Sequence, residues 1–118
     1  MTKANGIAAA GVLALLGVLV SCAGTQIPKD RISDPGEMLF NGQAVSTIDC
    51  YRCHNGDGKG TWRGANLGER VPKLSDKAIA VAIHEGPGMM PSYQGKIDDQ
   101  QIAQITAWLR GRFPGGTP

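Results

Sequence analysis

The sequence predicts a small all-α domain built from three to four short helices. Two segments, 75–84 and 98–110, begin with helix-capping residues and carry apolar side chains three and four positions apart. The 17 glycines among 118 residues indicate long loops between such helices. A core of this size usually needs an additional stabilising element.

The composition limits the classes of protein to which the chain can belong. A length of 118 residues allows one domain. A hydrophobic content of 42% is too high for a wholly disordered chain, and 19% charged residues are too few for a coiled coil. The net charge of +2 indicates no basic face for nucleic acid.

Residues 1–21 have the features of a secretory signal. Lys3 precedes the uncharged run 7–20, which as a helix would span only ~21 Å of a ~30 Å hydrocarbon core. The segment 19–22, Leu-Val-Ser-Cys, resembles the lipobox of bacterial lipoproteins, which implies cleavage before Cys22 and acylation of that cysteine. The alternative is an uncleaved membrane anchor with an incidental cysteine. Both interpretations place the rest of the chain outside the cytoplasm, tethered to a membrane.

The remaining chain divides into three parts. Residues 22–34 show little periodicity and contain turn formers, so we expect a lipidated flexible tether with a reach of about 45 Å when extended. Residues 35–113 form the predicted domain. Residues 114–118 form a flexible tail that cannot continue a helix. Cleavage would leave 97 residues with 11 basic and 10 acidic side chains, which is close to neutral.

The first helix is expected over residues 36–45. Leu39 and Phe40 lie on one side of this helix, and Gly36 lies four positions before Phe40. Gly36 and Phe40 therefore share a face.

A Cys-x-x-Cys-His motif follows at Cys50, Cys53 and His54, and it indicates attachment of a c-type haem. Two intervening residues let both sulfurs reach the two vinyl groups on one edge of a porphyrin. The next residue can then direct its imidazole at the iron. A covalent haem would also fill the interior of a domain this small.

Three alternatives use the same residues. A thioredoxin-like motif needs a buried strand before it and a helix after it, whereas residues 55–60 are typical of a loop. A zinc site needs four ligands, and beyond the motif the chain offers only His84 and carboxylates. A disulfide between Cys50 and Cys53 would close a loop too small to stabilise the chain much. Farther along, Trp62 and Arg63 could bind haem propionates or form a solvent-facing pair.

The second helix is expected over 75–84, with Ser75 as its N-cap. Ile79 and Ile83, four positions apart, face the core. His84 lies in the last turn, where a surface histidine is favoured by the helix dipole. Ligation of the iron by His84 is the alternative.

A loop with two adjacent thioethers follows this helix. Gly86 is expected to end the helix, and Met89, Met90 and Pro91 lie in the glycine- and proline-rich stretch after it. A soft sulfur donor in such a loop can approach the iron from the side opposite the motif histidine.

The third helix is expected over 98–110. Asp98 and Gln101 form the pattern of a capping box at its start. Its apolar stripe consists of Ile102, Ile105 and Leu109, with Trp108 beside it.

Together these segments resemble class I cytochrome c, the family of small monohaem cytochromes. The resemblance covers nearly all of the predicted domain and implies a small cytochrome c fold, with the helices wrapped around one haem c. The residues that carry it are Gly36, Leu39, Phe40, Cys50, Cys53, His54, Gly56, Gly58, Lys59, Gly60, Met90, Pro91, Ile102, Ile105, Trp108 and Leu109.

The resemblance also implies roles for single residues. His54 is the proximal ligand, and Met90, which directly precedes the proline, is the distal ligand. The carbonyl of Pro72 is expected to accept the ring N–H of His54, although Val71 stands where the family has glycine. The residues expected at a close crossing of the first and last helices are Gly36 and Phe40 against Ile105, Trp108 or Leu109.

An iron bound by both His54 and Met90 has no free position and can only exchange electrons. We therefore expect a membrane-anchored electron carrier, not an enzyme, that passes single electrons between respiratory or photosynthetic partners. It would lie in the periplasm or on the outer face of a bacterial cell membrane. The alternatives are a haem sensor or peroxidase-like protein with a displaceable distal ligand, and a structural lipoprotein with a disulfide. The residues expected to form an apolar docking rim are Tyr51, Met89, Pro91 and Tyr93.

Overall fold

The computed structural model describes residues 24–118, which contain five α-helices and no strand. The helices are α1 (Pro35–Phe40), α2 (Tyr51–His54), α3 (Leu67–Arg70), α4 (Asp76–Glu85) and α5 (Asp99–Arg112), with 3-10 turns at Lys29–Arg31 and Val71–Lys73. The all-α prediction is confirmed for this part of the chain. The predicted signal 1–21 and Cys22 lie outside the described residues. Within 24–118, no helix combines the length and apolar composition needed to cross a membrane.

The predicted caps of the two longer helices are confirmed. The hydroxyl of Ser75 accepts a hydrogen bond from the amide of Ala78 at 3.1 Å, and Gly86 ends α4 with a φ of +66°. Asp98 and Gln101 form the capping box, with bonds of 2.7 and 3.0 Å between each side chain and the other's amide. Local sequence therefore determines where both helices begin.

Helix α1 is shorter than the predicted 36–45. It ends at Phe40 because the chain turns at Gly42, whose φ of +66° is outside the helical region. The amides of Gln43 and Ala44 both bond to the carbonyl of Met38, which closes this turn. The chain therefore leaves α1 after Phe40 and continues through this turn to the cysteine motif.

Helices α1 and α5 cross closely at Gly36, as expected from the resemblance. A Cβ at Gly36 would overlap the carbonyl oxygen of Gln104 and lie 2.8 Å from the Cβ of Trp108. The ring centroids of Phe40 and Trp108 are 4.8 Å apart, and Ile105 is 1% exposed beside them. The close approach of the two backbones thus depends on the missing side chain at Gly36.

One apolar core joins these helices. The predicted core residues of α4 and α5 are all buried in it. Its members are Leu39, Phe40, Ile48, Val71, Ile79, Ile83, Tyr93, Ile97, Ile102, Ile105, Trp108 and Leu109.

Asn41, directly after α1, is a buried polar side chain with all of its hydrogen-bonding groups paired. Its side-chain oxygen accepts a bond from the amide of Ile27 at 2.9 Å. Its side-chain nitrogen donates to the carbonyls of Glu37 and Gly56, each at 3.2 Å. Asn41 therefore joins the N-terminal segment, α1 and the loop after the cysteine motif.

Asn41→Ala is expected to lower the free energy of unfolding by about 2–3 kcal/mol, because it leaves buried backbone groups without partners. Gln43→Ala is the matched control. It removes one bond of 3.2 Å, to the carbonyl of Ile27, from a half-buried side chain, so we expect a loss below about 1 kcal/mol. Urea denaturation of both variants measures the difference, and equal losses would contradict the role given to Asn41.

Residues 24–32, here called the N-terminal strap, lie against the domain. Gly24 and Thr25 bond to the segment 52–56, and Ile32 is buried. The expectation of a free tether over 22–34 is corrected for these residues, because their backbone groups find partners on the domain.

The tail 114–118 also contacts the domain, through Arg110. The Arg110 guanidinium donates to the carbonyls of Gly115 and Thr117 at 2.7 and 3.1 Å and to the carboxylate of Asp76 at 2.9 Å. The amide of Asp76 bonds to the carbonyl of Thr117 at 3.1 Å. The expectation of a flexible tail is therefore corrected as well.

Candidate haem-attachment site

Helix α2 is a single turn that brings the three motif residues together. The amides of Cys53 and His54 both bond to the carbonyl of Cys50, at 3.3 and 3.0 Å. Both thiols are free. Burial, with smaller contributions from nearby Asp49 and Cys53, raises the pKa of Cys50 to about 12, so the unmodified side chain is a protonated thiol.

The ring of His54 is held by the loop that follows the motif. Its Nδ1 lies 2.8 Å from the carbonyl oxygen of Ala65. Because a carbonyl can only accept, Nδ1 carries the proton, and Nε2 is left as the basic nitrogen that a metal requires. The Phe40 ring lies 6.4 Å from the His54 ring, between the motif and the core.

This contact corrects the expectation for Pro72. Pro72 lies in the 3-10 turn Val71–Lys73, where its atoms are close to Gly115 in the tail. Ala65 is preceded by glycine, Gly64, as the acceptor proline of the family is, although alanine stands here in place of that proline. The loop 60–70 before Pro72 concealed this match, and the Gly64–Ala65 pair is the signal that would have found it.

Gly64 explains why this loop can return to α2. A Cβ at Gly64 would lie 2.7 Å from the carbonyl oxygen of Cys53, so only glycine permits the approach. The hydroxyl of Thr61 donates to the same carbonyl at 2.6 Å, and the amide of Gly60 donates to the carbonyl of His54 at 2.8 Å. The loop thereby fixes the backbone of the motif.

Trp62 and Arg63, at the tip of this loop, are exposed. The Trp62 side chain is 75% exposed, and the Arg63 guanidinium carbon lies 5.6 Å from the centre of its ring. The two side chains thus stack on each other at the surface, and their role as contacts to haem propionates stays a prediction.

The two methionines of the loop after α4 differ in burial. Met89 is 89% exposed, whereas Met90 is half-buried and packs against the core. A 3.1 Å hydrogen bond from the amide of Met90 to the carbonyl of Pro87 closes a turn that contains both methionines. Gly86, with its positive φ, allows the loop to fold back, because a Cβ there would meet the backbone of Pro91 and Ser92 at 2.5 Å.

Tyr93 connects the methionine loop to the cysteine motif. Its hydroxyl donates a 2.7 Å hydrogen bond to the carboxylate of Asp49, the residue before Cys50, and Asp49 also pairs with Arg52 at 3.0 Å. Tyr93 is 6% exposed, so the expectation that it belongs to an exposed docking rim is corrected. No pattern in the sequence signals this pair, because 44 positions separate its members.

Tyr93→Phe is expected to lower the free energy of unfolding by about 1–2 kcal/mol near neutral pH, since it removes a bond to a carboxylate. Burial and the bond to Asp49 raise the pKa of Tyr93 above its ordinary value of about 10. The stabilisation is therefore fully present below pH 10 and is lost as the pH rises further. Denaturation from pH 7 to 11 should show the difference between variant and parent shrinking above pH 10; a constant difference would contradict this.

His84 is turned towards the start of α5. Its Nε2 lies 3.6 Å from a carboxylate oxygen of Asp99. This position matches the expectation of a surface histidine at the end of α4 rather than that of a second axial ligand.

The residues of the site fit a covalent haem. Two free thiols lie on one turn, one imidazole nitrogen is left basic, and Met90 supplies a soft donor beside an apolar core. Among residues 24–118, no three His, Cys, Asp or Glu side chains come together as a metal cluster would require, so the zinc alternative has no support there.

Comparison with known proteins gives matches over the same part of the chain. The family described as cytochrome c oxidase, cbb3-type, subunit III matches residues 37–109. Cytochrome c6 of Synechocystis sp. is 30% identical over 102 residues, which cover 82% of this chain and 78% of that protein. Cytochrome c6 of Synechococcus elongatus is 29% identical over 75 residues, 60% of this chain and 86% of that protein. Cytochrome c6 of Chlorolobion braunii is 29% identical over 83 residues, 65% of this chain and 93% of that protein.

The family match contains the cysteine motif, the methionine loop and most of α5. It begins just after Gly36 and ends at Leu109, so it contains most of each helix of the close crossing but not Gly36 itself.

Proposed function

The chain belongs to the cytochrome c family as a small monohaem class I member, and we propose that His54 and Met90 ligate the iron of a membrane-anchored electron carrier. As a c-type cytochrome it holds haem c covalently through Cys50 and Cys53, and it carries electrons rather than acting as an enzyme. When bound, the haem supplies an iron that gains and loses one electron.

The contrast between the two methionines carries the proposal of the ligand pair. Met90 is half-buried against the core, whereas Met89 points into solvent. For His54, the hydrogen bond from Nδ1 to the Ala65 carbonyl favours ligation through Nε2 and increases the basicity of the ring. If both side chains bound the iron, no position would remain for a substrate, and the site would support electron exchange alone.

The proposed anchor is a lipid on Cys22. The charge at Lys3, the apolar run 7–20 and the Leu-Val-Ser-Cys segment support cleavage before this residue. Several acyl chains on one residue bind a bilayer firmly, since each buried CH₂ contributes about 0.8 kcal/mol. The domain would then be held in the periplasm or on the outer face of a bacterial membrane.

The proposed partners are redox proteins of a respiratory or photosynthetic membrane complex. Of the expected docking rim, Met89 and Pro91 are exposed, whereas Tyr51 is half-buried and Tyr93 is buried, so the methionine loop is the part that we propose for docking. The near-neutral mature charge favours an encounter that depends little on salt.

A redox titration of the holoprotein, with carbon monoxide added to the reduced form, tests the proposed ligation. We expect a one-electron transition, a methionine-to-iron charge-transfer band in the oxidised form, and no binding of carbon monoxide. Ready binding of carbon monoxide would instead support a sensor or peroxidase-like protein with a displaceable ligand.

Membrane fractionation tests the anchor separately. We expect the parent protein in the membrane fraction and Cys22→Ser, which cannot be acylated at this position, to lose the lipid found on the parent by mass spectrometry. A parent protein without lipid would contradict the anchor and leave the ligation unaffected.

A further inference from the structure

The N-terminal strap determines how far the domain can lie from a lipid on Cys22. We propose that the strap keeps the α2 side of the domain directly on the membrane surface, so that the protein does not swing on a long tether. This inference rests on the proposed lipidation of Cys22. The α2 side of the domain would contact the lipid headgroup layer.

The start of the strap is bonded to the backbone around the cysteine motif. The amide of Gly24 donates to the carbonyl of Arg52 at 2.8 Å. Thr25 bonds on both sides: its amide donates to the side-chain oxygen of Asn55 at 2.8 Å, and its carbonyl accepts from the amide of Gly56 at 2.9 Å. A Cβ at Gly24 would overlap the carbonyl oxygen of Tyr51, so this contact is close enough to require glycine.

The middle of the strap is bonded to a second point, the end of α1. The amide of Ile27 donates to the side-chain oxygen of Asn41, and the side chain of Gln26 donates to the carbonyl of Asn41 at 2.5 Å. The side chain of Gln43 donates to the carbonyl of Ile27 at 3.2 Å. Because Asn41 is fully buried, the strap is tied to the interior of the domain and not only to its surface.

The covalent chain then limits the reach of the lipid. Cys22 is two residues from Gly24, and two residues span at most about 7 Å. A free segment over 22–34 would reach about 45 Å. If Cys22 is acylated, no more than about 7 Å of chain joins the lipid-bearing residue to Gly24, which is bonded to α2, the helix that carries the haem. This position favours partners whose redox centre lies close to the plane of the membrane.

Two insertion variants distinguish a bonded strap from a free tether. The same 20-residue Gly/Ser segment is inserted between Ala23 and Gly24 in one variant and between Ser33 and Asp34 in the other. Such a segment adds a root-mean-square span of about 25 Å. The lipidated holoproteins are placed in phosphatidylcholine vesicles that carry a headgroup fluorophore, and quenching of this fluorophore by the haem reports their separation.

We expect the insertion before Gly24 to reduce the quenching at least about twofold, because it adds length between the lipid and the strap. The insertion after Ser33 should leave the quenching unchanged, because the strap remains bonded to the domain. Equal losses in both variants, as a free tether requires, would overturn the inference. So would the absence of a loss in both, since the strap would then not set the separation.

Two measurements on the parent protein complement the insertion variants. Hydrogen exchange in the parent protein should show protected amides at Gly24 and Ile27, and rapid exchange at both would overturn the inference even if an insertion variant failed to fold. Mass spectrometry of the parent protein identifies the lipid. A lipidated parent with a free strap contradicts only this inference, whereas a parent without lipid contradicts the proposed anchor too.

Discussion

Gly36→Val is expected to lower the free energy of unfolding by about 3 kcal/mol, at the upper end of the usual cost of overpacking. The new Cβ would overlap the carbonyl oxygen of Gln104 and lie 2.8 Å from the Cβ of Trp108. A backbone carbonyl inside a helix cannot move aside as a flexible side chain can, so α1 and α5 must separate. Separation would also expose the contact between Phe40 and Trp108.

Gly111→Ala is the matched control for this prediction. Gly111 lies in α5 but is exposed, and a Cβ there would meet nothing within 4 Å. It should stabilise the protein by up to about 1 kcal/mol, since alanine is the better helix former. For a domain of this size, 3 kcal/mol corresponds to a fall in Tm of about 12–24 °C. An unchanged Tm for Gly36→Val would show that the crossing does not depend on glycine.

Met90→Ala is expected to convert a closed iron site into an open one. Loss of the thioether should remove the methionine-to-iron charge-transfer band, allow carbon monoxide to bind, and lower the reduction potential, because methionine ligation raises it. Truncation of a side chain packed on the core should also lower the free energy of unfolding by about 2 kcal/mol.

Met89→Ala is the control, because the two residues are adjacent and have the same side chain. Met89 is 89% exposed, so its truncation should leave the spectrum, the potential and the stability essentially as in the parent protein. If Met89→Ala opened the iron site and Met90→Ala did not, the assignment of the distal ligand would be reversed.

The features that were predicted correctly from the sequence depend on residues close together in the chain. The capping box of Asp98 and Gln101 and the N-cap at Ser75 act over three positions. The apolar stripes of α4 and α5 repeat every three to four residues, and their members are buried as expected. The close crossing at Gly36 was inferred from the resemblance, because no local pattern shows which helices meet.

The features that were not predicted join residues far apart in the chain. Asn41 is an ordinary polar residue in the sequence, and its partners at positions 27 and 56 become visible only in the fold. The hydrogen bond between Tyr93 and Asp49 likewise joins residues that are far apart in the chain, 44 positions from each other. The strap had the composition of a tether, since glycine, threonine, proline and aspartate favour a loop whether or not the loop is bonded to the domain.

Covalent attachment of haem is tested by the mass of the mature protein and of its fragments after extraction with acidified acetone, which removes haem that is not covalently bound. We expect a polypeptide that stays coloured and carries the mass of one haem on the fragment with Cys50 and Cys53. A colourless polypeptide, with all of the pigment in the acetone, would contradict it.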